Sequence, residues 1–72
     1  MTRHFKDPKL RMTYERAIEH GKTWSRNSGN GSRFWKGYDM AKKGLTFQVY
    51  RRGSLAYAWW LAGQDVAKAE GA

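Results

Sequence analysis

The sequence predicts an all-α domain of three short helices, over about residues 8–20, 33–43 and 54–69, with an extended basic connector at 45–52 between the second and third. Three observations carry this. Apolar residues recur at helical spacing in each segment, whereas strand-like alternation occurs only from Leu45 to Tyr50. Start and stop residues flank the segments: Asp7 with Pro8, Ser32 and Ser54 as N-caps, Gly21 and Gly44 as terminators. Seventy-two residues make one domain. A chain of this length buries only about 60% of its unfolded surface, so its four Trp must supply much of a thin core.

Residues 1–6 are basic without an apolar period and are expected to form a flexible arm, which leaves 7–72 as the single helical domain. Asp7 caps the first helix, with Pro8 at the first helical position, where its missing N–H is harmless. Leu10, Tyr14, Ala17 and Ile18 form one stripe, and Gly21 suits the residue just past the helix end. Residues 22–31 (KTWSRNSGNG) have the chemistry of a loop. Trp24 within it either folds back as a lid on the core or stacks on something external. The lid is preferred, because a small domain rarely leaves an indole exposed without use.

In the second helix, capped by Ser32, Phe34, Tyr38 and Ala41 share a face, and Arg33, Lys36, Lys42 and Lys43 lie largely outside it. Gly37 costs a helix about 1 kcal/mol relative to Ala, so its presence points to close helix–helix approach. Leu45–Tyr50 favours extended structure. It is either a linker packed on the helices through Leu45, Phe47 and Val49, the preferred reading, or a strand that pairs with its copy in a dimer. Arg51-Arg52-Gly53 makes the turn into the third helix. There Leu55, Trp59, Ala62 and Val66 form a stripe, while Tyr57, Trp60 and Leu61 carry apolar surface to other faces. Such a helix is the central one of the domain or a subunit interface.

Gly37-Tyr38, Ala41 and Gly44, then Tyr50, then Trp59, Trp60, Gly63 and Ala67 carry a resemblance. In this order the chain, over residues 34–67, resembles the ribosome modulation factor family: a Gly-Tyr and Ala/Gly helix, a connector ending in Tyr, and a Trp-x-x-Gly helix with a later Ala. It departs in three places. Val49 stands where a Pro commonly precedes the Tyr, the connector is shorter, and Gln64 replaces the second Trp of the usual ending. The resemblance implies a helical protein that binds ribosomal RNA on the small subunit in growth arrest. There it would occupy the region where messenger RNA threads, silence translation and promote ribosome pairing, the state of hibernation. Gly37, Tyr38, Ala41, Gly44, Trp59, Trp60, Gly63 and Ala67 are expected to be the packing motif.

A partial internal repeat accompanies the pattern. Tyr14-x-x-Ala17…Gly21 followed by Phe34-Trp35-x-Gly37-x-x-x-Ala41 echoes Tyr38-x-x-Ala41…Gly44 followed by Trp59-Trp60-x-x-Gly63-x-x-x-Ala67.

Several function classes lack support in the residues. With no Cys there is no disulfide framework, thiolate chemistry or Cys-based zinc site. His4 and His20 lie far apart without a ligand pattern, and no nucleophile has a signature context. His20 is more simply a favourable charge near a helix C-terminus. Gly29-Asn30-Gly31 lacks the full glycine pattern of a phosphate loop and a preceding strand. No enzyme activity, cofactor or metal is expected. The longest apolar run, Leu55–Gly63, is about half of the ~20 residues that cross a bilayer, and the N-terminus is charged, so a cytoplasmic, non-membrane protein is expected.

The positive signal is charge. Fourteen Lys and Arg oppose six Asp and Glu, a net charge of +8. Between Lys22 and Arg52 the only acid is Asp39. Arg26, Arg33, Lys36, Lys42, Lys43, Arg51 and Arg52 are candidate phosphate contacts, and Trp24, Tyr38 or Tyr50 candidate stacking rings. The plain alternative is a solvated basic face over an aromatic core. Splayed RNA bases suit the aromatics better than duplex DNA does, because no helix pair reads as helix-turn-helix. The expected partner is therefore structured RNA, ribosomal RNA above all, bound by a monomer or weak dimer. The rival is a small inhibitor or accessory factor that docks a protein partner through the apolar face of 54–69. Exposed Trp60 and Leu61 favour that rival; a buried third helix beneath a basic face favours RNA.

Overall fold

The first and third helices begin where their caps place them. In the computed structural model, which describes residues 5–45 and 47–71, the Asp7 carboxylate accepts from the Lys9 backbone N–H at 2.9 Å and starts α1, Pro8–His20. Ser54 Oγ accepts from the Tyr57 N–H at 3.1 Å and starts α3, Leu55–Ala69. The fold is all-α, and the described residues hold no strand. Residues 1–4 of the expected arm lie outside the described residues. Phe5 belongs to the fold, its ring 5.3 Å from that of Tyr14.

The second helix, α2, runs Gly29–Lys42 and so begins one turn earlier than its sequence suggests. Its cap is Ser28, not Ser32, with Ser28 Oγ accepting from the Gly31 N–H at 3.0 Å. Gly29-Asn30-Gly31 reads as loop because Gly is a poor helix former, but Gly31 is needed for space. A Cβ there would lie 1.9 Å from the Ser25 carbonyl oxygen. Gly21 departs from expectation in the same way. Its φ of −54° is right-handed, and it leads α1 into a 3-10 turn, Gly21–Thr23. Its missing side chain makes room for the Phe34 ring, whose nearest atom would be 2.2 Å from a Cβ. Gly44 does stop a helix in the left-handed region, with φ +76°.

α3 is central, packing on both α1 and α2. Its contact with α2 is a backbone contact. A Cβ on Gly37 would lie 2.0 Å from the Trp60 carbonyl oxygen, and one on Gly63 would lie 1.9 Å from the Phe34 carbonyl oxygen. Gly37 thus lies against the backbone of Trp60 and Gln64, and Gly63 against that of Phe34 and Tyr38. With the two glycines as equivalents, Phe34 corresponds to Trp60 in the internal repeat, and not the Phe34-Trp35 pair to Trp59-Trp60. Because the helices touch through glycine, the buried line of α2 is Gly31, Phe34, Gly37 and Met40, and not the predicted Phe34, Tyr38 and Ala41 face. Tyr38 and Ala41 are half-buried at its edge.

The stripes of α1 and α3 are partly as read. Leu10, Tyr14 and Ala17 are buried, but Ile18 is exposed. On α3 Ala62 is buried and Leu55 exposed, while Trp60, Leu61 and Ala58 form the core contacts. Trp24 is the preferred lid: half-buried, its ring meets Phe34 edge-on at 5.9 Å. Among the described residues of the connector, only Val49 and Tyr50 pack on the core. Leu45 and Phe47 are 40% and 62% exposed, against the expectation that both pack inward.

One buried polar group stands out. Gln64 is 5% exposed, and its amide nitrogen has no hydrogen-bond partner among the described residues. An unsatisfied buried donor costs about 1–3 kcal/mol, so Gln64→Met, of similar shape, is expected to raise stability by about 1 kcal/mol in urea unfolding. The glycine contact yields an opposite pair. Gly37→Ala and Gly63→Ala meet backbone atoms that cannot rotate away, and each is expected to lose about 3 kcal/mol, the upper end of overpacking. Gly53→Ala, with nothing within 4 Å of a Cβ, is expected to gain about 0.4–1 kcal/mol by restricting the unfolded chain.

Candidate nucleic-acid interface

The predicted basic residues divide into three groups. The largest lies on the outer side of α2. Ser32, Lys36, Asp39 and Lys43 recur at three- and four-residue steps and, with Arg26, Trp35, Met40 and Leu45, line a shallow open depression. Arg33 lies one step round the helix, where its Nη1 donates to the Gly29 carbonyl at 2.8 Å. The Arg33 guanidinium and the Lys36 ammonium each lie 5.9 Å from the centre of the Tyr50 ring.

Tyr50 is brought there by the core. Its ring meets Trp60 edge-on at 6.5 Å, and Trp60 is itself fixed by an indole N–H donated to the Met40 sulfur at 3.3 Å. The connector thus exposes the Leu45 and Phe47 side chains and packs Val49 and Tyr50 inward, which sets the Tyr50 ring beside α2.

Arg26 belongs to this face but is partnered. Its Nη1 lies 2.7 Å from the Asp39 carboxylate, and its guanidinium sits 4.5 Å from the centre of the Trp35 ring. The Trp35 indole N–H in turn donates to the Trp24 carbonyl at 2.8 Å. Arg33, Lys36 and Lys43 have no carboxylate within ion-pair distance among the described residues, and neither do Arg51 and Arg52. Exposed, unpaired cations are the ones free to neutralise an external polyanion.

The second group is Lys42 with Lys22, on the opposite flank of α2. Lys22 Nζ donates to Glu70 Oε2 at 2.5 Å, Lys42 Nζ lies 3.8 Å from Oε1, and the Tyr38 hydroxyl donates to Oε1. Tyr38 is therefore held by a carboxylate and two ammoniums and is not an open stacking ring. The third group is Arg52, which lies with Lys6, Asp7 and Tyr57 around a depression at the start of α1. Arg51 is exposed in the turn, its carbonyl accepting from Ser54 Oγ at 2.7 Å. The fold thus assembles Arg26, Arg33, Lys36, Lys43 and Tyr50 and sets Lys42 and Arg52 apart.

No family model, curated protein or solved structure matches this chain. No group of three or more potential metal ligands occurs among the described residues, and no helix there is long and apolar enough to cross a membrane.

Glu70 is a participant that the sequence does not single out, and for Lys22, Asp39 and Trp35 the sequence shows charge or pattern but no partner. Lys22 and Glu70 lie at opposite ends of the chain, and only the packing of α3 brings them together. The Lys22 ammonium and the Tyr38 hydroxyl hold the Glu70 carboxyl below its usual 4.5, and Glu70 holds Lys22 above 10.5. A depressed carboxyl contributes stability that is present above its unfolded pKa and is lost as pH falls through the folded one. The difference in thermal midpoint between the protein and Glu70→Gln is thus expected to be constant near neutrality, to begin to shrink near pH 4.5 and to vanish only once pH is below the lower folded value, measured by circular dichroism.

Proposed function

We propose that this protein binds structured RNA through the outer face of α2, and that small-subunit ribosomal RNA is the partner, as the resemblance to ribosome modulation factors implies. Modulation of ribosome activity in growth arrest is the role that follows from that partner. The observation that carries the reading is the pair of cations without a carboxylate partner, Arg33 and Lys36, each 5.9 Å from the centre of the Tyr50 ring. Cations that leave one helix and rest on one aromatic ring lose less freedom when they take a phosphate than unrestrained side chains do. Lys43 extends the charged line by two turns of the same face.

A protein partner docking on α3 is the less favoured reading. Trp60 and Leu61, the anchors it needs, are 3% and 7% exposed because α3 lies between the other two helices. Their rings and methyls are already occupied by the core.

Salt decides how many cations take part. If the three unpaired cations of the α2 face, Arg33, Lys36 and Lys43, act alone, counterion release predicts that affinity for a labelled ribosomal RNA fragment falls about 30-fold between about 50 and 200 mM salt. If Arg51 and Arg52 join them, the fall reaches a few hundred-fold, on the order of 10². Arg33→Ala with Lys36→Ala is expected to weaken binding at least tenfold and to reduce sedimentation with small subunits. Lys9→Ala with Arg16→Ala removes the same charge from α1 and is expected to cost about threefold or less. Equal losses for the two pairs, or binding indifferent to salt, would reject the interface.

A further inference from the structure

At the C-terminal end of α3 one carboxylate collects three donors. The Tyr38 hydroxyl and the Lys22 and Lys42 ammoniums all converge on Glu70, although they come from the 3-10 turn, the middle of α2 and its last residue. The two ammoniums also lie 5.7 and 5.3 Å from the centre of the Tyr38 ring, so both sit beside the phenol. The cradle is thus made wholly by residues outside α3, and Glu70 is its occupant rather than part of its frame.

A carboxylate offers two oxygens and one negative charge. A phosphodiester offers the same: two non-bridging oxygens sharing one charge, suited to ammonium and hydroxyl donors. The site is open, with Lys22, Lys42 and Glu70 side chains 53%, 42% and 32% exposed, so an external anion can reach it. Ion pairs at such exposure are weak, which makes the internal occupant displaceable.

We propose that Lys22, Tyr38 and Lys42 form a second phosphate site, held in the free protein by Glu70 as an internal phosphate mimic and taken in the complex by a backbone phosphate of the RNA. The site rests on the RNA-binding reading and deepens it. It extends the contact from one flank of α2 round to the other, since Lys42 and Lys43 are neighbours that face different groups. It also makes Glu70 a brake on affinity, because each phosphate bound there must first displace a carboxylate.

Glu70→Gln removes the charge and keeps the shape. Measured by fluorescence anisotropy with the same RNA, it is expected to tighten binding about fivefold at about 50 mM salt. It is also expected to steepen the salt dependence by one to two phosphate equivalents as Lys22 and Lys42 become available. Glu15→Gln, an exposed acid of α1 removed in the same way, serves as the control for net charge and is expected to leave the slope unchanged. Adding Lys22→Ala and Lys42→Ala to Glu70→Gln is expected to cancel both gains. Equal effects of Glu70→Gln and Glu15→Gln, or a gain that survives loss of both lysines, would overturn the site. The RNA-binding reading would still stand in that case, provided Arg33→Ala with Lys36→Ala weakens binding.

Discussion

Everything in this fold is set by the approach of two helix backbones at Gly37 and Gly63. Each glycine lies against the carbonyl of the residue three places before the other, Trp60 for Gly37 and Phe34 for Gly63. With no Cβ on either side, α2 and α3 come closer than side chains allow, and the large rings are displaced to the flanks of the contact. Phe34 goes to the α1 side, where Gly21 leaves room for it, and there it is wholly buried beneath Trp24. Trp60 goes to the other side, where it bonds Met40 and supports Tyr50. A chain with so little core volume gains from this arrangement, because two helical glycines, each costing about 1 kcal/mol in propensity, are exchanged for dense packing around the aromatics.

The consequence for the surface is direct. Close approach turns the Gly31, Phe34, Gly37 and Met40 line of α2 inward, so Arg33, Lys36 and Lys43 are left on the outside. The connector must then cross from the end of α2 to the start of α3 over that outer side. Its one ring anchored on Trp60 therefore arrives among the cations. The candidate interface follows from the same glycines that make the core.

Helix existence was legible because it is written locally, in the caps Asp7 and Ser54 and in stripes such as Leu10, Tyr14 and Ala17. Gly37 was legible as a close approach because no local reason for it exists. The start of α2 was not, since Ser28 and Gly31 look like loop residues until the Ser25 carbonyl is seen packed against Gly31. Nor was the inward face of α2: aromatic spacing marks Phe34 and Tyr38, but glycine contributes nothing to an apolar stripe although it marks the line of contact. The charges divide the same way. That the middle of the chain is basic is plain from composition, whereas the pairing of Lys42 and the freedom of Lys43 depend on where a residue from the far end of α3 comes to rest.

The acids explain why the excess charge has a direction. Of the six, Asp7 caps α1, Asp65 accepts the Tyr14 hydroxyl at 2.5 Å, Asp39 holds Arg26, and Glu70 gathers Lys22, Lys42 and Tyr38. Glu15 and Glu19 remain, both on α1. Four acids are thus committed to structural contacts and two lie on α1, the helix that packs mainly on α3. The outer face of α2 and the turn at Arg51 and Arg52 are consequently left with cations that nothing internal neutralises. Long-range steering depends on such uncompensated charge rather than on the total, and an incoming polyanion would be drawn to the Tyr50 side of the molecule before any short-range contact forms.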